Sequence, residues 1–217
     1  MRTGRIGRTA MNRISLATIA ALVLAGFVGG GLYLFQMGPG EDRFAQCRSG
    51  RIGGDPAQLG GPFTLIDETG ATVTDLDVIT GPTLIYFGYS FCPDVCPLDN
   101  ARNAEAVHLL DARGYQVLPV FISIDPGRDT PELLAEFTGY MHPRMLGLTG
   151  TAEQVRAASR AYRTFYSVQD TSDPYYLIDH STFTYLAFPG LGVVEVFGRD
   201  MTPEEMADRV ACFADSF

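Results

Sequence analysis

An apolar run, Thr83-Leu84-Ile85-Tyr86-Phe87, is followed by two thiols four positions apart in Phe91-Cys92-Pro93-Asp94-Val95-Cys96-Pro97. The run reads as a buried strand, and the next residues as a turn and a helix from Val95 to about Ala112, stopped by Gly114. If the helix begins near Pro93, Cys92 and Cys96 lie about one turn apart and face the same way. Pro93 and Pro97 suit the first helical turn, where the missing N–H costs little. Free N–H groups and the helix dipole at that end favour thiolate. Such a pair can hold a soft metal ion, cycle through a disulfide, or sit as inert core thiols. Thiolates select Cu(I), with zinc as the rival; structural zinc takes four ligands, and no second cysteine pair stands nearby in sequence.

The pattern around this junction alternates. Phe63–Ile66 and Thr72–Thr74 flank Glu68-Thr69-Gly70 and read as a hairpin, and Val117–Ile124 as a second long apolar strand. Thr130-Pro131-Glu132 starts a helix to about Met141. Capping boxes at Thr151 and Thr202 start two more, the first reaching about Tyr162. Strands are expected over Tyr175–Ile178, Thr182–Ala187 and Val193–Phe197. The fold class is α/β, a layered sandwich rather than an all-β domain.

Residues 14–35 carry no charge, a length that spans a bilayer, and Arg2, Arg5, Arg8 and Arg13 precede them. We expect 1–13 to be a cytoplasmic N-terminus and 14–35 an uncleaved single-pass transmembrane anchor rather than a cleaved signal peptide. Gly- and Pro-rich residues 36–61 read as a tether, and 62–217 as the globular domain. The formal net charge of −9 argues against a nucleic-acid partner. The expected location is the inner membrane, with the soluble domain in an oxidising periplasm, which bears on Cys47, Cys92, Cys96 and Cys212.

Three histidines compete for a ligand role. His108 lies mid-helix and reads as a helix-face residue. His142 precedes Pro143 at a helix end, where a cation complements the dipole. His180 sits in Ile178-Asp179-His180-Ser181, where one expected strand gives way to the next, and such loops present functional groups.

Four segments together resemble the Sco/SenC copper-chaperone family. They are Phe87-Gly88-Tyr89-Ser90-Phe91-Cys92-Pro93-Asp94-Val95-Cys96-Pro97, Phe121-Ile122-Ser123-Ile124-Asp125-Pro126-Gly127-Arg128-Asp129-Thr130-Pro131-Glu132, Leu148-Thr149-Gly150-Thr151, and Asp179-His180-Ser181. The resemblance runs from about Gly60 to Phe213. It implies a thioredoxin-like fold: a central mixed sheet flanked by helices, with an extra N-terminal hairpin. It also implies one copper on Cys92, Cys96 and His180, held as Cu(I), with Cu(II) left open as an alternative. The implied activity is assembly of the CuA centre in cytochrome c oxidase subunit II, with copper received from an upstream donor protein. Asp94 would tune the loop without being a ligand, since carboxylate suits Cu(I) poorly.

The same dithiol supports a second reading, a thiol-disulfide oxidoreductase with Cys92 and Cys96 as the catalytic pair, keeping partner cysteines reduced. Three intervening residues, where thioredoxin-type reductants have two, and the distant histidine favour the metal. A sensor would need more than a 13-residue cytoplasmic end, and a peroxidase an isolated reactive cysteine. Cys47 and Cys212 fall outside the shared segments. The expectation is a structural disulfide between them, pinning the membrane-proximal segment to the last helix.

Overall fold

The computed structural model describes residues 9–36, 42–48, 58–170 and 172–217. It divides into two units, Met1–Ala45 and Gln46–Phe217. The first holds helix α1, Thr9–Gln36. That helix covers the stretch expected to be a membrane anchor. Among the described residues no helix is long and apolar enough to cross a membrane. Residues 1–8 of the expected cytoplasmic end, and 37–41 and 49–57 of the expected tether, lie outside the described residues.

The second unit is built on a seven-stranded mixed sheet. Its strands are β1 Thr64–Asp67, β2 Thr72–Thr74, β3 Thr83–Gly88, β4 Leu118–Ser123, β5 Leu146–Thr149, β8 Thr184–Phe188 and β9 Gly192–Phe197, in spatial order β2-β1-β5-β4-β3-β8-β9. A separate two-stranded sheet pairs β6, Tyr166–Val168, with β7, Ile178–His180. Helices α2 Asp75–Val78, α3 Val95–Ala112, α4 Pro131–Met141, α5 Ala152–Ala161 and α6 Pro203–Asp215 complete the unit.

β3 is buried at all six positions and lies inside the sheet, with parallel β4 along one edge and antiparallel β8 along the other. Its unbroken apolar sequence fits a strand covered on both faces. Leu84, Ile85, Tyr86 and Phe87 are each at most 1% exposed, as are Phe121 and Ile122 of β4. Each such side chain contributes about 1.5–3 kcal/mol on leaving water. β3 therefore ends, at Gly88, on a rigid floor for the cysteine loop.

The hairpin, β3, β4, α3, α4, α5 and α6 fall where the sequence pattern puts them, to within a residue or two. Four details differ. Asp94 is the N-cap of α3, so Pro93 precedes the helix and Cys92 lies outside it, with Cys96 in its first turn. The strand expected over Tyr175–Ile178 begins only at Ile178. Asp173 takes the N–H of Tyr175 on its side chain (2.8 Å) and that of Tyr176 on its carbonyl (3.1 Å), curling both into a turn. β5 and β6 carry no sequence signal: Leu-Gly-Leu-Thr is too short for periodicity, and Tyr-Ser-Val is exposed or half-exposed throughout.

Cys47 and Cys212 form the expected disulfide, closing a loop of 165 residues with a Cα–Cα distance of 5.6 Å. Arg48 donates to the carbonyl of Val194 at 2.7 Å, holding the same entry segment against β9.

Candidate metal centre

Cys92, Cys96 and His180 come together, with their ligand atoms all within 4.8 Å of one another. Two pieces of scaffold bring this about. The β3–α3 junction presents both thiols, and the β6–β7 sheet, in which His180 pairs with Tyr166, presents the imidazole. Sγ of Cys96 and Nε2 of His180 are 3.2 Å apart. The ring leans edge-on against Tyr86 and Tyr89, with centroids 6.2 and 5.9 Å away.

The hydrogen bond on the far side of the ring settles its tautomer. Nδ1 of His180 lies 2.8 Å from the carbonyl oxygen of Ser181. A carbonyl only accepts, so Nδ1 carries the proton and Nε2 turns a lone pair toward the sulfurs. Metal-binding histidines are commonly fixed in this way.

The two thiols differ. Asp94 caps α3 by position, but its side chain makes no capping bond. Sγ of Cys92 instead accepts the N–H of Cys96 at 3.4 Å. Hydrogen bonding from the Cys96 thiol, with that from the backbone N–H groups of Asp94 and Cys96, outweighs burial and holds the Cys92 thiol well below its ordinary value. Cys96 is fully buried, and its donation to Cys92 together with burial pushes it far up. The two sulfurs are thus unequal, Cys92 favouring the thiolate and Cys96 the thiol.

Several supporting residues were invisible to sequence reasoning. A Cβ on Gly88 would lie 3.0 Å from Sγ of Cys96 and 2.8 Å from the Tyr86 ring, so glycine is what lets the sulfur sit over the strand end. The Tyr86 hydroxyl donates to Asp99 at 3.0 Å, and Arg199 pairs with the other oxygen of that carboxylate at 3.0 Å. Burial, with Cys96 and Asp99 nearby, raises the Tyr86 phenol far above its ordinary value, so it stays neutral. A cleft lined by Tyr89, Cys92, Asp94, Leu177 and His180 opens the site to solvent. Exposed Phe91 flanks the cysteines in the chain.

The other two histidines also meet. His108, Asp111 and His142 form a second cluster with ligand atoms within 4.8 Å. His108 is exposed on α3, as expected, but His142 corrects its sequence reading: it is 2% exposed, and burial, with His108 and Arg144 nearby, disfavours its cation. Its Nδ1 accepts the N–H of Arg144 at 3.1 Å, which leaves the proton on Nε2. Arg144 also occupies both oxygens of Asp111, at 2.6 and 2.8 Å. A protonated Nε2 and a saturated carboxylate make a poor cation site. The contrast with His180 lies in what stands behind each Nδ1, a carbonyl in one case and an N–H in the other.

A mixed sheet whose central strand ends in a dithiol at a helix N-terminus defines the thioredoxin-like class, here with an imidazole added across the thiols. The chain belongs to the SCO1/SenC family, whose model matches residues 53–215. It is 57% identical over 203 residues to Protein SenC of Rhodobacter capsulatus, covering 93% of this chain and 90% of that protein. The structure of Arabidopsis thaliana ScoI with copper bound matches at a TM-score of 0.69 and 36% identity, over 72% of this chain and 99% of that one. BsSco, described as a member of the Sco family of cytochrome c oxidase assembly proteins, matches at a TM-score of 0.57 and 21% identity, over 73% and 95%; at that identity the likeness is one of fold.

Proposed function

We propose that this chain is a copper metallochaperone that holds one Cu(I) on Cys92, Cys96 and His180 and delivers it during assembly of the CuA centre in cytochrome c oxidase subunit II. The observation that carries this reading is the free Nε2 of His180, 3.2 Å from Sγ of Cys96, with its Nδ1 committed to a carbonyl. Two sulfurs and one imidazole suit Cu(I), and no carboxylate completes the set. Half-exposed His180 and exposed Phe91 lie on the solvent side, where an incoming partner thiolate displaces ligands one at a time. An upstream donor protein would load the site by the reverse exchange.

The Cys47–Cys212 disulfide supports an oxidising compartment, since such bonds persist outside the cytosol. We accordingly place the domain on the periplasmic side of the inner membrane. Attachment through residues 14–35 is part of this proposal and rests on their sequence.

The difference between the thiols favours a companion activity as thiol-disulfide reductase. The Cys92 thiolate would attack a partner disulfide, and Cys96 would resolve the mixed disulfide. That step leaves Cys92–Cys96 oxidised and the partner reduced by two electrons.

Anaerobic competition with a Cu(I) chelator tests the main reading. The reduced protein is expected to bind one Cu(I), and His180→Ala, which removes a ligand, to bind it more weakly by at least the roughly 10–100-fold that loss of a ligand's supporting group costs. Equal affinities would leave the reductase reading standing in its place. Transfer is followed by mixing copper-loaded protein with the apo subunit II domain and recording CuA colour.

A further inference from the structure

We propose that Asp125, Arg128 and Asp129, in the turn after β4, are positioning residues that hold the cysteine loop and the histidine segment in one register; this rests on the three-ligand reading above. None of the three touches the ligand atoms. Each reaches a different part of the two segments that carry them.

Asp129 holds the cysteine side. It is 1% exposed, and its carboxylate accepts the N–H of Ser90 at 3.1 Å, the hydroxyl of Ser90, and the hydroxyl of Ser123 at 2.5 Å. Ser90 stands two residues before Cys92. Three donors on one buried carboxylate fix the start of the loop, since leaving any of them unpaired costs about 1–3 kcal/mol.

Asp125 and Arg128 hold the histidine side. Asp125, 4% exposed, accepts the hydroxyl of Tyr176 at 2.6 Å and pairs with Nε of Arg128 at 2.5 Å. The guanidinium lies 3.6 Å over the Tyr176 ring, and Nη1 donates to the carbonyl of Pro174 at 3.3 Å. The same guanidinium is 5.0 Å from the Phe91 ring and 5.7 Å from the Tyr89 ring, so it is wedged between the two segments. Tyr89 closes the loop by accepting the N–H of Ile178, two residues before His180, at 3.2 Å.

Ser123 links the two halves, donating to Asp129 and accepting the N–H of Asp125 at 3.0 Å. His180 lies on a two-stranded sheet outside the main one, so the main ladder does not set its distance from the cysteines. The polar turn supplies that restraint. Planarity matters at Arg128, because a lysine keeps the charge but cannot stack or fork.

The test is a double-mutant cycle on the full chain, reading Cu(I) affinity by chelator competition. Arg128→Lys is expected to weaken binding about tenfold in the native background and less than about twofold alongside His180→Ala, because its effect travels through His180. Tyr176→Phe, which removes one hydroxyl and keeps the ring, is expected to follow the same pattern more weakly and serves if Arg128→Lys does not fold. Full affinity in a folded variant, or an equal loss in both backgrounds, would overturn the clasp. Equal binding by native protein and His180→Ala would instead overturn the three-ligand reading.

Discussion

Cys96 and His180 stand 84 residues apart in the chain and 3.2 Å apart in space. One is in the first turn of α3, buried over the end of β3; the other ends a short strand of the peripheral sheet. Neither could hold a metal alone. Their meeting turns a dithiol into a candidate three-ligand set. The polarity of His180 makes the meeting useful, since its lone pair faces the sulfurs.

The unequal thiols give the pH dependence a sign. In reduced, metal-free protein, thiolate absorbance near 240 nm is expected to show one cysteine already ionised well below the ordinary thiol value and the other silent until strongly alkaline pH. Because the folded value of Cys92 is lowered, its contribution to stability is complete above the unfolded value near 9 and fades as pH falls through the folded value. Alkylation at pH 6 would then label Cys92 and spare Cys96. Two thiols titrating together near 9 would contradict the assignment.

Gly88 tests the close approach of sulfur to backbone. Its Cβ would meet Sγ of Cys96, the Tyr86 ring and the Phe121 ring at 2.8–3.0 Å. All three neighbours are buried and cannot give way without cost. Gly88→Ala is expected to lose about 1–3 kcal/mol of stability, as overpacked cores do, and to weaken Cu(I) binding by moving Cys96. Denaturant unfolding and chelator competition on the same sample read both effects, and unchanged copper affinity would count against the approach.

The Cys47–Cys212 bridge is expected to act on stability alone. Cys47→Ser together with Cys212→Ser should cost about 2–5 kcal/mol while leaving Cu(I) affinity unchanged, because neither sulfur belongs to the metal centre. Thiol counting on the unfolded, unreduced protein should return two free thiols, Cys92 and Cys96, and four only after reduction. Four before reduction would rule the bridge out.

The sequence by itself determined the strand-to-helix junction, because an apolar run and the residues that follow it are local signals. The capped helix starts were legible for the same reason: Thr130, Thr151 and Thr202 each accept an N–H three residues on. The resemblance carried His180, whose position between two expected strands marked it as a candidate but did not by itself make it a ligand. Only the tertiary structure decided between the His180 and His142 rings, by placing the Ser181 carbonyl behind one Nδ1 and the Arg144 N–H behind the other. It alone decided where β5 and β6 run, whose pairing is made by neighbours distant in sequence. It also showed what Asp125, Arg128 and Asp129 do. Their motif stands in the sequence, but a buried carboxylate finds its donors only when β3, β4 and the segment before His180 are brought together.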